Sequence, residues 1–326
     1  MRVPDYVVGC ISPVFTAFRD DGAFDETGQR HLLDFMFERG GISAYFVRSG
    51  LGQMYTFELD DVKQMARTAC GHLAGKAPVL VGCSGIWDRN YDCRPDAETF
   101  IAQAVEWCRV AEGAGAAAVV HRTPEALLPE AGESVDAMRV RFFSTVCDAV
   151  SIPVFIYQTP GTLPEYVASP EALARLADID NLCGMKASTN DACYVFNALQ
   201  AVKDKDFGFI VGAETAYYAG LYAGARAVIG QGCTMNPQTI RAILERFDAG
   251  DHTGAVEAQA ATNRLVDACP NAPAWFKRYA AEHGHPVGTF ARSTANNPYL
   301  HDRPAITNEQ YEAFQRIYEA ELAPYL

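Results

Sequence analysis

The sequence predicts a (β/α)8 barrel, an α/β fold, with a helical extension at its C-terminal end. Three observations predict it. Short apolar runs alternate with helical patterns, the runs are apolar on both faces, and after residue 250 only helical patterns follow. Short runs of that kind suit parallel strands covered on both sides. Eight of them, each followed by a helix, argue for a closed barrel. A doubly wound sheet is the main rival, but no G-x-G-x-x-G fingerprint follows the first strand.

Taken in order, strands are expected over 8–15, 44–47, 79–82, 118–121, 154–157, 183–186, 207–211 and 227–229. Helices are expected over 25–39, 60–74, 96–112, 135–150, 170–176, 192–202, 216–223 and 237–247. In the first of these, Leu32, Leu33, Phe35 and Met36 form an apolar stripe. Beyond Gly250 the patterns run 253–268, 272–283 and 307–321, punctuated by Asn271-Ala272-Pro273 and Gly284-His285-Pro286. Residues 1–250 are therefore read as the barrel and 251–326 as a C-terminal helical extension. Helices cannot extend a barrel sheet, so the extension is expected to pack on the barrel or on a neighbouring subunit.

Composition narrows the function classes. At 326 residues, 49% hydrophobic and 21% charged, the chain can build one large core. A net charge of −13 would repel nucleic acid and an anionic membrane surface, so neither is expected as a partner. A local basic pocket could still take an acidic small molecule. The N-terminus has no apolar signal core, and no run approaches the roughly 18 apolar residues of a membrane span, so a cytoplasmic location is expected. The ten cysteines are scattered, with no Cys-x-x-Cys pair and no histidine at zinc spacing. They read as reduced and structural, and neither a metal nor a cofactor is expected.

The chain has six lysines, and only Lys186 ends a short apolar run followed by small residues. In a barrel, catalytic groups sit at the carboxyl ends of strands. Burial there disfavours the ammonium form and frees a neutral amine, which can form a Schiff base with a carbonyl substrate. A strand-end lysine reaching solvent fits the same local pattern. Tyr157 ends the preceding strand, so the two side chains should be neighbours, and a phenol there can move protons. After strand two, Ser49, Gly50 and Leu51 lie in a glycine-paired loop that can present backbone N–H donors to an anion. Arg48, at that strand's end, can clamp a carboxylate bidentately. His121 and Arg122 after strand four, and Gly230 and Gln231 after strand eight, complete the expected rim. Glu125 and Gln158 are weaker candidates. The stretch Trp87-Asp88-Arg89-Asn90 is longer than a turn needs and reads as a lid or a subunit contact.

On these residues the chain resembles the N-acetylneuraminate lyase and dihydrodipicolinate synthase superfamily of class I, Schiff-base-forming aldolases. The resemblance runs over roughly residues 7–300. It is carried by Gly9-x-x-Ser12-Pro13-Val14-x-Thr16-x-Phe18, Asp21-Gly22-Ala23-Phe24-Asp25, Gly115-Ala116, Thr123-Pro124, Tyr157-x-x-Pro160, Gly184-x-Lys186, Gly224-Ala225 and the stretch 230–237. It implies an imine at Lys186, Tyr157 as general acid and base, pyruvate or another 2-oxo acid as substrate, and a homodimer or homotetramer.

The chain also departs from the pattern. The family's Gly-Thr-Thr-Gly-Glu loop is here Ser49-Gly50-Leu51-Gly52-Gln53, so both threonine hydroxyls are missing. Glu125-Ala126 replaces an aromatic pair, and Thr162 replaces the arginine of the synthases. These losses argue against lysine-biosynthetic synthase activity. Arg48, His121 and Arg122 stand where the family usually has apolar residues. The expectation is a lyase, aldolase or dehydratase acting on a 2-oxo acid or sugar-acid derivative. The alternative is a catalytically retired barrel that binds a ligand or regulates. A metal-dependent aldolase fits poorly, because no carboxylate and histidine cluster falls on the strand ends.

Overall fold

The protein was analysed as a computed structural model that describes residues 3–292 and 305–326, so 293–304 of the expected extension lie outside the described residues. Strands β1 (Gly9–Pro13), β2 (Ala44–Val47), β3 (Val79–Gly82), β4 (Ala118–Arg122), β5 (Val154–Gln158), β6 (Leu182–Ala187), β7 (Gly208–Val211) and β8 (Ala227–Val228) pair in parallel, in chain order. β8 returns to β1 and closes the barrel. Between them run α1 (Glu26–Arg39), α2 (Leu59–His72), α3 (Ala97–Gly113), α4 (Val135–Cys147), α5 (Pro170–Leu176), α6 (Ala192–Val202) and α7 (Tyr217–Ala223). After β8 come α8 (Gln231–Met235) and α9 (Pro237–Asp248).

Local chemistry starts the helices where the sequence places polar residues. Asp25, Asp96, Ser134, Ser169 and Asp191 each accept a backbone N–H of the following turn. Most element ends differ from expectation by a few residues, and two differences stand out at β1 and after β8. β1 is shorter than the run 8–15: Val8, Val14 and Phe15 fall outside it, although Val14 N still donates to Phe46 O at 3.0 Å. The five-residue helix α8 was not anticipated, since its glycine and small polar residues carry no helical apolar period.

Successive strand residues point to opposite faces, which splits the core into two layers. Ile11, Phe46, Leu80, Val120, Phe155 and Ile210 fill the barrel interior. Val47, Val81, Val119, Ile156, Met185 and Val211 face the helices. Val3 and Val7 plug the end where strands begin, and the Tyr6 hydroxyl there donates to Ala117 O at 2.9 Å. The other end, where strands finish, is left to polar side chains.

The extension comprises α10 (His252–Ala268), α11 (Ala272–Glu282) and α12 (Asn308–Leu322). Its aromatic face lies on this chain's own barrel. Phe276 meets Phe15 at 5.9 Å and Phe35 at 5.4 Å between ring centroids. Trp275 packs against Tyr311, Phe314 and Tyr318 in turn. Barrel and extension share one core.

Gly184 on β6 is a point of closest approach. It pairs with Phe155 on one side and Gly208 on the other. A Cβ there would stand 2.2 Å from Gly208 O and 3.0 Å from the Phe155 ring. Gly184→Ala should therefore force β6 and β7 apart and cost about 1–3 kcal/mol, the usual range for overpacking. Differential scanning calorimetry should show a Tm lower by several degrees; an unchanged Tm would mean the strands can part freely.

Candidate active site

Register sets the centre of the site. Arg122 on β4, Tyr157 on β5 and Lys186 on β6 are Cα partners in one continuous rung. All three side chains point into the barrel, at the end where the strands finish. Lys186 is 5% exposed and Tyr157 1%. The Lys186 Nζ sits 4.1 Å from the centroid of the Tyr157 ring, a cation–π distance. Phe46 packs edge-on against the same ring at 6.0 Å. Burial pushes the Lys186 amine down to about 7, and the Glu214 carboxylate opposes that fall.

Glu214 follows β7 and is buried. Its Oε1 accepts the Gly232 N–H at 3.0 Å, at the head of α8. Burial drives its carboxyl pKa up, against this hydrogen bond and the Lys186 charge. Gly230 makes room for that carboxylate, since a Cβ would stand 1.8 Å from Glu214 Oε2. Barrels often bind phosphate at a short helix after strand eight. Here a side-chain carboxylate already fills the equivalent position.

The loop after β2 is tight. The Ser49 hydroxyl accepts the Gly52 N–H at 3.1 Å, and Thr16 donates to Gly52 O at 2.6 Å. A Cβ on Gly52 would stand 2.6 Å from Val14 O. The amides of Gly50 and Leu51 donate to no acceptor among the described residues. Arg48 adopts a left-handed backbone with φ of 51°, a conformation few side chains take without support. Its Nη1 donates to Gly82 O at 2.9 Å and Ser84 O at 2.8 Å, while its buried Nε has no partner among the described residues.

Arg122 faces the same space. Its guanidinium lies 4.7 Å from the Tyr55 ring centroid and 5.6 Å from that of Trp87. Ser84 fastens both arginines, because its hydroxyl accepts the Arg122 backbone N–H at 2.7 Å. Burial, and then the like charge of Arg122, push the Arg48 guanidinium down to about 9. Among the described residues no carboxylate forms an ion pair with either arginine. Phe46, Arg48, Ser84, Arg122 and Tyr157 enclose a cavity of about 10 Å³, room for roughly one water.

His121 requires a correction. It is fully buried on the opposite side of β4, with Nε2 3.0 Å from Cys108 Sγ and its ring against Phe142. Adjacent strand residues cannot share a face, so Arg122 inside puts His121 outside. Gln158 likewise faces away and accepts from Ala168 N and the Tyr194 hydroxyl. Glu125 ties loops together, accepting the Tyr91 hydroxyl at 2.8 Å and Leu163 N at 3.0 Å. Gln231 is half-buried at the start of α8. The stretch around Trp87 is pinned down within this chain, because Arg89 donates to Pro160 O and Gly161 O. Glu214, Ser84 and Tyr55 carried no signal strong enough to single them out. Position after a strand pointed at Glu214; nothing local pointed at Ser84 or Tyr55.

Comparison with known proteins follows the same lines. The model of the dihydrodipicolinate synthetase family matches residues 6–317. A 4-hydroxy-tetrahydrodipicolinate synthase of Stenotrophomonas maltophilia is 28% identical over 244 residues, 75% of each chain. YagE, a prophage protein of Escherichia coli, is 26% identical over 246 residues, 74% of this chain and 75% of YagE. Its structure in complex with pyruvate superposes with a TM-score of 0.77 over 96% of this chain and 98% of that one, at 22% identity. N-acetylneuraminate lyase from Mycoplasma synoviae superposes with a TM-score of 0.79 over 98% and 99%, at 19% identity.

The electrostatics of Lys186 can be read directly. Trace acetylation followed by peptide mapping should give a labelling midpoint near pH 7 for Lys186. Glu214→Gln should move that midpoint lower, because an opposing charge that held the ammonium is gone. A midpoint at the ordinary lysine value would show a solvated amine, and a rise in Glu214→Gln would reverse the assigned sign.

Proposed function

The chain belongs to the dihydrodipicolinate synthetase family and shares its aldolase–lyase type of function, and from that premise we propose that it acts on a 2-oxo acid through an imine at Lys186. One observation carries the reading: a buried lysine whose amine is held near neutrality, stacked on a tyrosine of the adjacent rung. The pyruvate bound by YagE supports a substrate of that class.

The chemistry follows from the groups in place. The neutral Lys186 amine attacks the C2 carbonyl carbon, and the carbonyl electron pair moves to oxygen. Tyr157 delivers a proton to that oxygen and takes one from nitrogen. A second proton from Tyr157 lets the resulting hydroxyl leave as water, and a protonated imine remains beside the tyrosinate. Its nitrogen can accept the electron pair of a bond to C3. If C3–C4 breaks and the C4 hydroxyl gives up its proton, the reaction is aldol cleavage. If C3–H breaks, the resulting enamine can attack a second carbonyl or expel a C4 substituent. Which outcome dominates depends on the substrate.

In this reading the C1 carboxylate is received by the Gly50 and Leu51 amides together with Arg48. Backbone donors can hold a carboxylate without neutralising it; a guanidinium does both. Gly230 and Gln231 form the wall on the Lys186 side. A cytoplasmic homodimer or homotetramer belongs to the same reading, and sedimentation velocity would show a 35.5 kDa species if it is wrong.

The missing hydroxyls at Gly50 and Leu51 favour the second reading, a retired barrel that binds a ligand. Borohydride separates the two. Incubation with pyruvate and a panel of 2-oxo acids, followed by reduction and mass mapping, should label Lys186 in the wild type and not in Lys186→Ala. No adduct with any acid would leave the ligand-binding barrel. With a substrate in hand, Tyr157→Phe should lower kcat by about 10²-fold or more in a folded protein, the scale of general acid–base contributions. Unchanged turnover would take Tyr157 out of the proton path.

A further inference from the structure

Helix α10 opens the C-terminal extension, and one of its side chains closes on the segment that follows β7. Gln259 is half-buried there and uses both ends of its amide. Its Nε2 donates to Glu214 O at 2.8 Å, and its Oε1 accepts the Tyr218 N–H at 2.8 Å. A carbonyl on one side and a backbone N–H on the other fix which end of the amide is which. The two groups flank a short helical turn, Glu214–Ala216, that runs directly into α7. Ala216 stands at the N-cap of α7 and offers no side-chain acceptor, so the N–H groups of the first turn need a partner from elsewhere. Gln259 supplies one across 41 positions of chain. A second side chain of α10 fixes the amide itself. Asn263 Oδ1 accepts from Gln259 Nε2 at 2.8 Å, and Asn263 Nδ2 donates to Thr215 O at 3.4 Å.

The place of this turn matters because of the carboxylate it carries. Glu214 is 7% exposed and takes the Gly232 N–H on Oε1 at 3.0 Å. Its slot is narrow, since a Cβ on Gly230 would stand 1.8 Å from Oε2. A carboxylate in so narrow a slot is placed by its backbone, and Gln259 holds that backbone. Among the described residues the titratable groups facing the Lys186 amine are Tyr157 on β5, Cys233 on α8 and Glu214 after β7. Of the three only Glu214 is a carboxylate, and its charge opposes the loss of the Lys186 proton that burial favours. The extension also grips the far end of α8, where Tyr318 of α12 donates to Met235 O beside Arg39.

We propose that Gln259 is a positioning residue for the reactive lysine: from outside the barrel it fixes the Glu214 backbone and so holds the Glu214 carboxylate beside Lys186. The catalytic consequence rests on the imine reading; the placement does not. A side chain of the same length without both a donor and an acceptor cannot bridge the two backbone groups.

Trace acetylation of Lys186 in the full-length protein tests this without substrate. Gln259→Met keeps the length of the side chain and loses both hydrogen bonds. It should lower the Lys186 labelling midpoint by roughly half a pH unit or more, in the direction of Glu214→Gln, since an opposite charge at close range moves a pKa by about 1–3. Asn263→Ala loosens Gln259 without removing its amide and should give a smaller fall. The double variant Gln259→Met/Glu214→Gln should match Glu214→Gln alone, because the carboxylate through which Gln259 acts is gone. Thr262→Val separates placement from stability. It breaks the bond from Thr262 to Thr239 at 2.8 Å, three residues along the same helix, and should lower Tm while leaving the midpoint in place. A midpoint at or above the wild-type value in folded Gln259→Met, or in Asn263→Ala where the first variant does not fold, would overturn the proposal. So would a further fall in the double variant, or an equal fall in Thr262→Val. Borohydride trapping with pyruvate reports separately: without an adduct the imine reading falls, and the placement of Glu214 by Gln259 stands on the midpoints alone.

Discussion

The register of β4, β5 and β6 is the constraint on which the rest of the site depends. Closing eight parallel strands into a barrel fixes which residues stand side by side at the end where the strands finish. The close packing of Phe155, Gly184 and Gly208 sets that register, since no larger residue fits at Gly184. Two residues further along, the next rung on that face presents Tyr157 and Lys186. A shift of one residue would turn the lysine into the helical layer, where Met185 and Ala187 now pack. The glycine and the lysine two residues later therefore form one device, and the family's Gly-x-Lys pattern has a packing reason as well as a chemical one.

Charge in a poorly solvated space explains the chemistry that this register permits. Lys186 has lost most of its water, so its neutral form is accessible near pH 7. Glu214 moderates that fall and is itself held by a backbone amide at the head of α8. Toward β2 and β4 stand two guanidiniums, Arg48 and Arg122, neither in an ion pair among the described residues. The barrel thus carries a compensated lysine at one side of its mouth and uncompensated positive charge at the other.

The loops show how the substitutions away from the family pattern hang together. Without the threonine hydroxyls the loop after β2 still closes, through Ser49, Gly52 and Thr16. Ser84 accepts the Arg122 amide with its hydroxyl and the Arg48 guanidinium with its carbonyl, so both arginines depend on one residue. Glu125, in place of an aromatic residue, ties the Tyr91 and Leu163 segments. The changes are not scattered losses. They build a polar wall at the mouth of the barrel.

The sequence by itself determined the alternating elements, the barrel class, and the neighbourhood of Lys186 and Tyr157, because each rests on local periodicity and on the rule that consecutive parallel strands pair. The two-residue period also separates His121 from Arg122, but only the closed barrel decided which of the two faces in; phase depends on how β4 meets β3 and β5. Tertiary structure alone brought Glu214 to Lys186, placed Ser84 between two arginines, and left Arg122 against aromatic rings with no carboxylate in an ion pair among the described residues. Those relations join residues from 28 positions apart (Lys186 and Glu214) to 67 (Tyr55 and Arg122), and no local propensity encodes the approach of one strand end to another. The ends of the elements were equally a matter of context. β8 stops at Val228, and after Ile229 and Gly230 α8 begins, with the Glu214 carboxylate receiving the Gly232 N–H.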